Sequence, residues 1–315
     1  MIRTERLTKN FGQDRGVFDV NLEVPKGCIY GFVGHNGAGK TTAIRILCGL
    51  LKPDSGKAFI GGVEVNGKNL AGIKRSIGYM PDITGVYEQM SVWEFLDFYG
   101  AAFKIPPKIR KQRIEEVLNI THALEMIDYQ MTSLSRGMRQ RIGLAKTLIH
   151  DPEVLILDEP AGGLDPQARI EMRHTIEGLK HLGKTILLSS HILPELATIC
   201  DLVGIINKGR LLAQGTVREI SEQLQENVGI LITVDSDVSE ALSILKRIEG
   251  VESARQVDKN QIGITFSASR DSIGALLTLL VRNGVRVRWF AENEADLEHV
   301  FMNITSGKEE TGHAR

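Results

Sequence analysis

The sequence has few cysteines, no long apolar run and no excess of charge of either sign, and each shortage excludes a class of protein. Its three cysteines, Cys28, Cys48 and Cys200, are scattered and lack the spacing of a disulfide framework or a metal site. They predict small core residues in a reducing compartment. No run approaches the ~18 apolar residues that a membrane span requires, and no apolar signal segment is visible near residue 1. We therefore expect a chain that is soluble by itself and needs a partner for any role at a membrane.

The charge balance argues against nucleic acid as a partner. The 315 residues include 38 Lys and Arg against 39 Asp and Glu, which gives a net charge of −1. Nucleic-acid-binding domains usually carry a basic excess, so we expect no nucleic-acid partner. The length predicts two domains.

The most informative stretch covers residues 34–42. It matches the phosphate-loop pattern G-x-x-x-x-G-K-[ST] without a mismatch, and its residues are Gly34, His35, Asn36, Gly37, Ala38, Gly39, Lys40, Thr41 and Thr42. An apolar run at 28–33 predicts a buried strand before it, and apolar residues at helical spacing over 42–51 predict a helix after it. Backbone N–H groups and the helix dipole would hold phosphates there, with Lys40 on the β- and γ-phosphates and Thr41 on Mg²⁺.

Two further apolar runs end in polar residues. Residues 154–157 are followed by Asp158 and Glu159, and residues 185–190 are followed by His191. Continuous apolar runs are typical of parallel strands buried on both faces, and ligands bind at the carboxyl ends of such strands. We therefore expect these three side chains to converge on the phosphates.

The other segments receive coarser predictions. Residues 52–79 predict small strands and hairpins, because Gly and Pro turns separate short apolar runs. A capping box at Ser91 predicts a helix whose aromatic residues, 93–99, form core. Pro106 and Pro107 open another helix, with Ile109 among its inner residues. Residues 87–150 thus read as a mostly helical insert between parallel strands.

The C-terminal third has its own pattern. Residues 221–227 predict a linker, and residues 229–290 have the order β-α-β-β-α-β of a ferredoxin-like fold. A last helix is expected over 295–304 and a flexible tail over 306–315. Nucleic-acid binding by its arginines is less favoured than a dimer contact or a regulatory role.

Five motifs in this order resemble the ATP-binding subunit of an ABC transporter. They are the phosphate loop, residues 134–138 (Leu-Ser-Arg-Gly-Met), residues 154–159, residues 163–165 (Gly-Leu-Asp) and His191. The resemblance covers residues 1 to about 220. It implies an α/β P-loop NTPase domain of ABC type with a mainly parallel sheet core, an antiparallel β subdomain and a helical subdomain. A small α+β domain would follow over residues 221–305.

The resemblance also implies roles at the nucleotide. Asp158 would support Mg²⁺ together with Thr41, Glu159 would polarise the attacking water, and His191 would lie near the γ-phosphate. Lys40 would neutralise charge on the phosphates. Phosphoryl transfer depends mainly on positioning and charge, which these residue types supply.

Other implied roles belong to a dimer. Ser135, Arg136 and Gly137 occupy the signature position and would complete the nucleotide site of a second copy, with Asp165 at the dimer seam. Phe11 matches the aromatic that stacks on adenine, although by pattern alone it is equally a core or edge aromatic.

The chain departs from the family pattern at two places. The usual signature is Leu-Ser-Gly-Gly-Gln, but Arg136 and Met138 replace the first Gly and the Gln. Arg136 either adds positive charge near a γ-phosphate or points to solvent. Asp82 stands where the family usually has Gln, so it is a candidate Mg²⁺ contact with a different charge.

We therefore predict an ATPase that uses ATP and Mg²⁺ as the motor subunit of an ABC transporter, of exporter type. It would form a homodimer, or a heterodimer with a related subunit, on separately encoded membrane permeases at the cytoplasmic face of the membrane. One alternative is an ABC-type ATPase of translation or DNA repair, and another is a module that senses ATP without turnover.

Overall fold

The computed structural model describes residues 1–13, 15–83, 85, 87, 89–224, 228–266 and 273–292. They divide into two compact units, Met1–Val217 and Arg218–Arg315. The helix expected over 295–304 and the tail over 306–315 lie outside the described residues.

The first unit begins with alternating strands and short helices. These are β1 (Ile2–Asn10), β2 (Gly16–Val20), β3 (Glu23–Val24), β4 (Ile29–Val33), α1 (Lys40–Leu47), β5 (Ser55–Ile60), β6 (Val63–Glu64), α2 (Leu70–Ser76) and β7 (Ile77–Met80). A helical segment follows, with α3 (Val92–Ala102), α4 (Pro107–Ile120) and α5 (Arg136–Leu148). The unit closes with β8 (Val154–Leu157), α6 (Pro166–His181), β9 (Thr185–Ser190), α7 (Leu193–Ala197), β10 (Leu202–Asn207) and β11 (Arg210–Gly215), after which α8 (Val217–Leu224) begins.

Two sheets organise this unit. The central sheet has the strand order β11-β10-β4-β9-β8-β7, with β11 antiparallel at the edge and the other five strands parallel. Every residue of β4, β8 and β9 is buried, as the continuous apolar runs predict for a parallel sheet covered on both faces. The second sheet is antiparallel, in the order β2-β1-β5-β6 with β3 on β1. The predicted α/β core with an antiparallel subdomain is confirmed.

The helical segment lies between the parallel strands β7 and β8, as predicted. Helix α3 begins at the capping box of Ser91, whose hydroxyl accepts from the Glu94 backbone N–H at 3.2 Å. Its aromatic stripe is only partly core, because Phe95 is buried while Trp93 and Phe98 are exposed. In α4, Ile109 is exposed although an inner position was predicted for it.

Several predicted boundaries are wrong. Residues 70–76 form α2 instead of a hairpin. The sequence pattern missed this helix because only Ile73 of it is buried, so no apolar periodicity marks it. The signature helix α5 begins at Arg136, so Arg136 and Gly137 belong to its first turn. Ser221 belongs to α8 and not to a linker.

The cysteines behave as core residues. Cys28 and Cys48 are buried, Cys200 is partly buried, and all three are free thiols. Burial, reinforced by the Asp201 carboxylate, raises the pKa of Cys28 to about 11. Burial also raises the pKa of the Cys48 and Cys200 thiols, so all three stay protonated at neutral pH.

The second unit has the predicted β-α-β-β-α-β order. Its elements are β12 (Val228–Val234), α9 (Val238–Leu245), β13 (Val251–Asp258), β14 (Gln261–Phe266), α10 (Ile273–Arg282) and β15 (Val287–Glu292). The sheet order is β13-β14-β12-β15, with antiparallel pairs throughout. Alternate residues of β12 and β14 pack against the two helices to form a separate small core. In the part of the chain that is described, no helix has the length and apolarity to cross a bilayer.

Candidate active site

The carboxyl ends of four neighbouring parallel strands bring the predicted side chains together. Strand β4 leads into the phosphate loop, β9 ends just before His191, and β8 ends just before Asp158 and Glu159. Strand β7, the outermost strand on this side, pairs with β8, and the Asp158 backbone N–H donates to the Met80 carbonyl at 2.8 Å. Asp82, two residues beyond β7, therefore also lies at the carboxyl ends of the strands.

The phosphate loop ends in a helix whose first turn is open to an anion. Gly39 precedes α1 with a φ of +109°, and a Cβ added there would come within 2.7 Å of the Gly16 carbonyl oxygen. Only glycine accommodates both the left-handed backbone and this close approach. No side chain caps α1, and its first turn carries no acidic residue. The N-terminal N–H groups of α1 therefore remain available to a negatively charged ligand.

Lys40 lies at the start of α1 and is only 5% exposed. Its ammonium donates to the Gly34 carbonyl at 2.5 Å and to the His35 carbonyl at 3.3 Å. It also lies 3.2 Å from Oε1 of Glu159. The lysine is thus held inside the loop with its charge directed toward Glu159.

Glu159 lies between the lysine and the histidine. Its Oε2 is 2.9 Å from Nδ1 of His191, and its side chain is 14% exposed. Its backbone has a φ of +50°, in the left-handed region that side-chain-bearing residues rarely adopt. Such strain is typical of functional positions, where the surrounding structure enforces it.

Ser189 links the Asp158 carboxylate to the Glu159 backbone, a contact that the sequence reasoning missed. Its hydroxyl donates to Oδ1 of Asp158 at 2.7 Å and accepts from the Glu159 backbone N–H at 3.0 Å. Asp158 is 2% exposed, so this bond satisfies a carboxylate that burial would otherwise destabilise. A polar pair, Ser189 and Ser190, at the end of an otherwise apolar strand is the signal that identifies such a residue.

The residues present fit a magnesium ion that arrives with a phosphate ligand. Oε1 of Glu159 is buried, and its polar neighbour is the Lys40 ammonium at 3.2 Å, while Asp158 contributes a second carboxylate at the same strand end. Among the described residues, no group of three or more His, Cys, Asp and Glu could hold a metal by itself. Mg²⁺ typically binds through one or two carboxylates together with substrate phosphates and water. Thr41 and Asp158 are therefore its expected ligands, with Asp82 nearby.

A cleft of about 270 Å³ opens in front of the loop. Its lining residues are Phe11, Arg15, Gly16, His35, Asn36, Gly37, Gly39, Lys40, Thr41, Thr42, Asp82 and Glu159. Phe11 is 56% exposed, with Nζ of Lys9 5.8 Å from its ring centre. The ring is therefore not core, and one face of an exposed aromatic at a cleft is available for stacking. Arg15 and Gly16 also line the cleft, and nothing in the sequence pattern singles them out.

The signature residues lie elsewhere. Of the described residues that line the cleft, none is Ser135, Arg136 or Gly137. Ser135 caps α5 by accepting from the Met138 backbone N–H at 3.2 Å. The Arg136 guanidinium lies against Gly163, where an added Cβ would come within 2.5 Å of its Cζ. Arg136 was expected either near a γ-phosphate or in solvent. It is exposed, but its guanidinium packs against the Gly-Leu-Asp loop of its own chain.

The Gly-Leu-Asp loop leads directly into α6. Asp165 is the N-cap of this helix, and its Oδ1 accepts from the Ala168 backbone N–H at 2.9 Å. The signature loop and Asp165 therefore form one continuous surface region, joined by the contact between Arg136 and Gly163.

Comparison with known proteins identifies the family to which this chain belongs. The family model described as "ABC transporter" matches residues 17–162. The chain is 37% identical over 309 residues to the bacitracin transport ATP-binding protein BcrA of Bacillus licheniformis, a match that covers 98% of each chain. The chain belongs to the ATP-binding subunits of ABC transporters.

Two further similarities agree with the assignment. The linearmycin resistance ATP-binding protein LnrL of Bacillus subtilis is 31% identical over 307 residues, covering 97% of this chain and 98% of LnrL. The solved structure of CbiO1 from Clostridium perfringens, part of the ABC transporter complex CbiONQ, superimposes with a TM-score of 0.64 at 28% identity. It covers 70% of this chain and 90% of CbiO1. In this ABC ATP-binding subunit the phosphate loop is therefore part of the nucleotide-binding domain that defines the family.

Proposed function

We propose that this ATP-binding subunit hydrolyses ATP as the motor of an ABC exporter. The observation that carries the proposal is the position of Glu159 between Lys40 and His191, at the mouth of the phosphate-loop cleft. A module that only senses ATP has no need of a strained, nearly buried carboxylate at this position.

Each side chain around the phosphate loop has its own role in the proposed hydrolysis of ATP. An arriving phosphate competes with Glu159 for the Lys40 ammonium and leaves Oε1 of Glu159 free to accept a proton from water. His191, bonded to the other carboxylate oxygen, holds the carboxylate in place. Magnesium bound by Thr41 and Asp158 would neutralise negative charge on the phosphates. Preorganised charge of this kind supplies most of the rate enhancement in phosphoryl transfer.

The location of the signature supports a dimer. Ser135, Arg136 and Gly137 are outside the cleft of their own chain, so we propose that they close the cleft of a second copy. A twofold arrangement would pair the phosphate loop of each protomer with the signature of the other. A related subunit in place of the second copy would give the same geometry.

The partners follow from the relatives. BcrA is named for bacitracin transport and LnrL for linearmycin resistance, which supports an exporter that moves compounds of this type. We propose that membrane permeases are separate chains and that the subunit lies at the cytoplasmic face of the membrane. Co-purification of the full chain with an integral membrane protein tests this part.

Glu159→Gln tests the catalytic proposal. The amide cannot accept a proton from water, so we expect kcat for ATP hydrolysis to fall by about 10²–10⁴-fold while ATP still binds. Phosphate release and binding of a fluorescent ATP analogue measure the two quantities. Glu153→Gln, a substitution of the same kind outside the cleft, is the control. Unchanged hydrolysis in Glu159→Gln would contradict the proposal.

A further inference from the structure

The chain segment that carries His191 has little support of its own. It leads into α7, a helix of only five residues, and no side chain caps that helix. Isolated helices of this length are not stable in water, so contacts with neighbouring elements must hold the segment in place. Leu193 and Leu196 are buried beneath it, and Glu195 extends toward α6.

Arg169 of α6 supplies the polar part of this support. Its Nη1 forms an ion pair with Oε1 of Glu195, and its Nη2 donates to the Leu164 carbonyl at 3.2 Å. The guanidinium therefore joins the short helix after His191 to the Gly-Leu-Asp loop before Asp165. The pair is partly buried, with side chains 33% and 18% exposed. A planar guanidinium can make both contacts at once, whereas an ammonium has no such fork.

The remaining guanidinium nitrogen indicates more than a stabilising role. Nε of Arg169 is buried and donates to no acceptor. A buried N–H without an acceptor is destabilising, so the arginine is not explained by stability alone. A cavity of about 90 Å³ borders Arg169, Glu195, Glu159 and His191. Its space would allow the His191 segment to shift if the ion pair were broken.

We propose that Arg169 is a positioning residue that, through Glu195, holds His191 on Glu159 and couples it to the Gly-Leu-Asp loop. The proposal rests on the proposed ATPase function. In a dimer, a displacement of this loop by the second copy would reach the His191 segment through the pair of Arg169 and Glu195. Arg169 itself need not contact nucleotide, because none of the described residues lining the phosphate-loop cleft is Arg169.

A double-mutant cycle tests the proposal in the full chain. Arg169→Gln, Glu195→Gln and the combined variant are assayed for kcat, KM for ATP and nucleotide bound per chain. We expect each single variant to lower kcat per bound nucleotide about tenfold with KM within twofold, and the combined variant to be no slower than either. Arg169→Lys keeps the charge but not the fork, so its kcat should be intermediate.

Arg173→Gln is the matched control. Arg173 lies one turn further along α6, donates to Oγ1 of Thr198 at 3.2 Å, and loses the same charge in this variant. Its kcat should stay within twofold of the wild type. Wild-type kcat in Arg169→Gln, additive losses in the cycle, or an equal loss in Arg173→Gln would each overturn the proposal. If the wild-type chain itself fails to hydrolyse ATP, the proposed function fails first and separately.

Discussion

The N-termini of α1 and α5 are both candidate anion sites, yet the chain prepares them differently. Gly39 precedes α1 without any side-chain cap, and the buried Lys40 adds a positive charge. Ser135 precedes α5 and uses its own hydroxyl to satisfy the Met138 N–H. The first helix therefore presents uncapped donors and a fixed charge, while part of the second is already satisfied.

This difference supports the proposal that each chain supplies one half of each of two nucleotide sites. An uncapped helix N-terminus with a buried cation binds phosphate strongly without help. A self-capped N-terminus on an exposed loop is a weaker anion site, and it gains from a phosphate that another chain presents. The comparison therefore agrees with a nucleotide that binds first at α1 and is covered later by α5 of a second copy.

Lys40→Ala removes the charge that distinguishes α1. Loss of a charge-assisted contact to phosphate should weaken ATP binding by about 10- to 100-fold. Titration with a fluorescent ATP analogue measures the affinity, and the melting temperature checks that the fold survives. Lys57→Ala removes a lysine whose ammonium is 3.9 Å from Glu64 on the antiparallel sheet, and it should bind ATP normally. Equal affinity for ATP in the two variants would contradict the proposal that the Lys40 charge at α1 binds phosphate.

Ser135→Asp and Ser135→Asn test α5 as a matched pair. Asp and Asn cap helices about as well as Ser, so neither variant should unfold α5. Asp places a negative charge where the second copy would present phosphate. We therefore expect kcat of the Ser135→Asp variant to be about tenfold lower than kcat of the Ser135→Asn variant. ATP binding to the single chain should be the same in both.

Steady-state ATP hydrolysis, measured over a range of protein concentrations, separates an effect on kcat in the dimer from an effect on ATP binding to the single chain. If the aspartate variant weakens nucleotide binding to the isolated chain, then Ser135 contributes to its own cleft and the half-site comparison is wrong. Ser133→Asp is the control, since Ser133 lies two residues earlier and its hydroxyl donates to the Gln130 carbonyl at 2.8 Å.

The sequence predicts the α1 side of the comparison far better than the α5 side. A buried parallel strand, a glycine loop and a helix impose their own residue pattern, so Lys40, Asp158, Glu159 and His191 are found at one sheet edge as expected. The start of α5 is less visible because Arg136, Gly137 and Met138 form no apolar stripe. Its first residues contribute a surface, and surfaces leave little periodicity.

Contacts between distant segments could not be predicted in the same way. Ser189 bridging Asp158 and Glu159, and Arg136 against Gly163, depend on how separate loops meet. Helix α2 was missed for a related reason, since only Ile73 of its seven residues is buried. Patterns of burial predict elements, whereas polar contacts between loops require the folded chain.

A third N-terminus, that of α3, shows what a fully capped helix looks like and gives the smallest expected effect. The Ser91 backbone N–H donates to Oε2 of Glu94 at 2.8 Å, and this bond, assisted by the Ser91 hydroxyl, lowers the pKa of Glu94. A lowered folded pKa means that the stabilisation is complete above the ordinary glutamate pKa. It is lost as the pH falls through the lowered value.

Glu94→Gln keeps the capping-box hydrogen bond but cannot titrate. The melting temperature of the wild type should exceed that of the variant by a small margin at pH 7, and the margin should close as the pH falls below the glutamate range. A margin that stays constant with pH would mean that the Glu94 charge contributes nothing to the cap. The first turn of α3 already has acceptors in Oγ of Ser91 and the carbonyls of Ile127 and Tyr129. ATP should therefore leave this margin unchanged, whereas it should protect the uncapped first turn of α1 from amide hydrogen exchange.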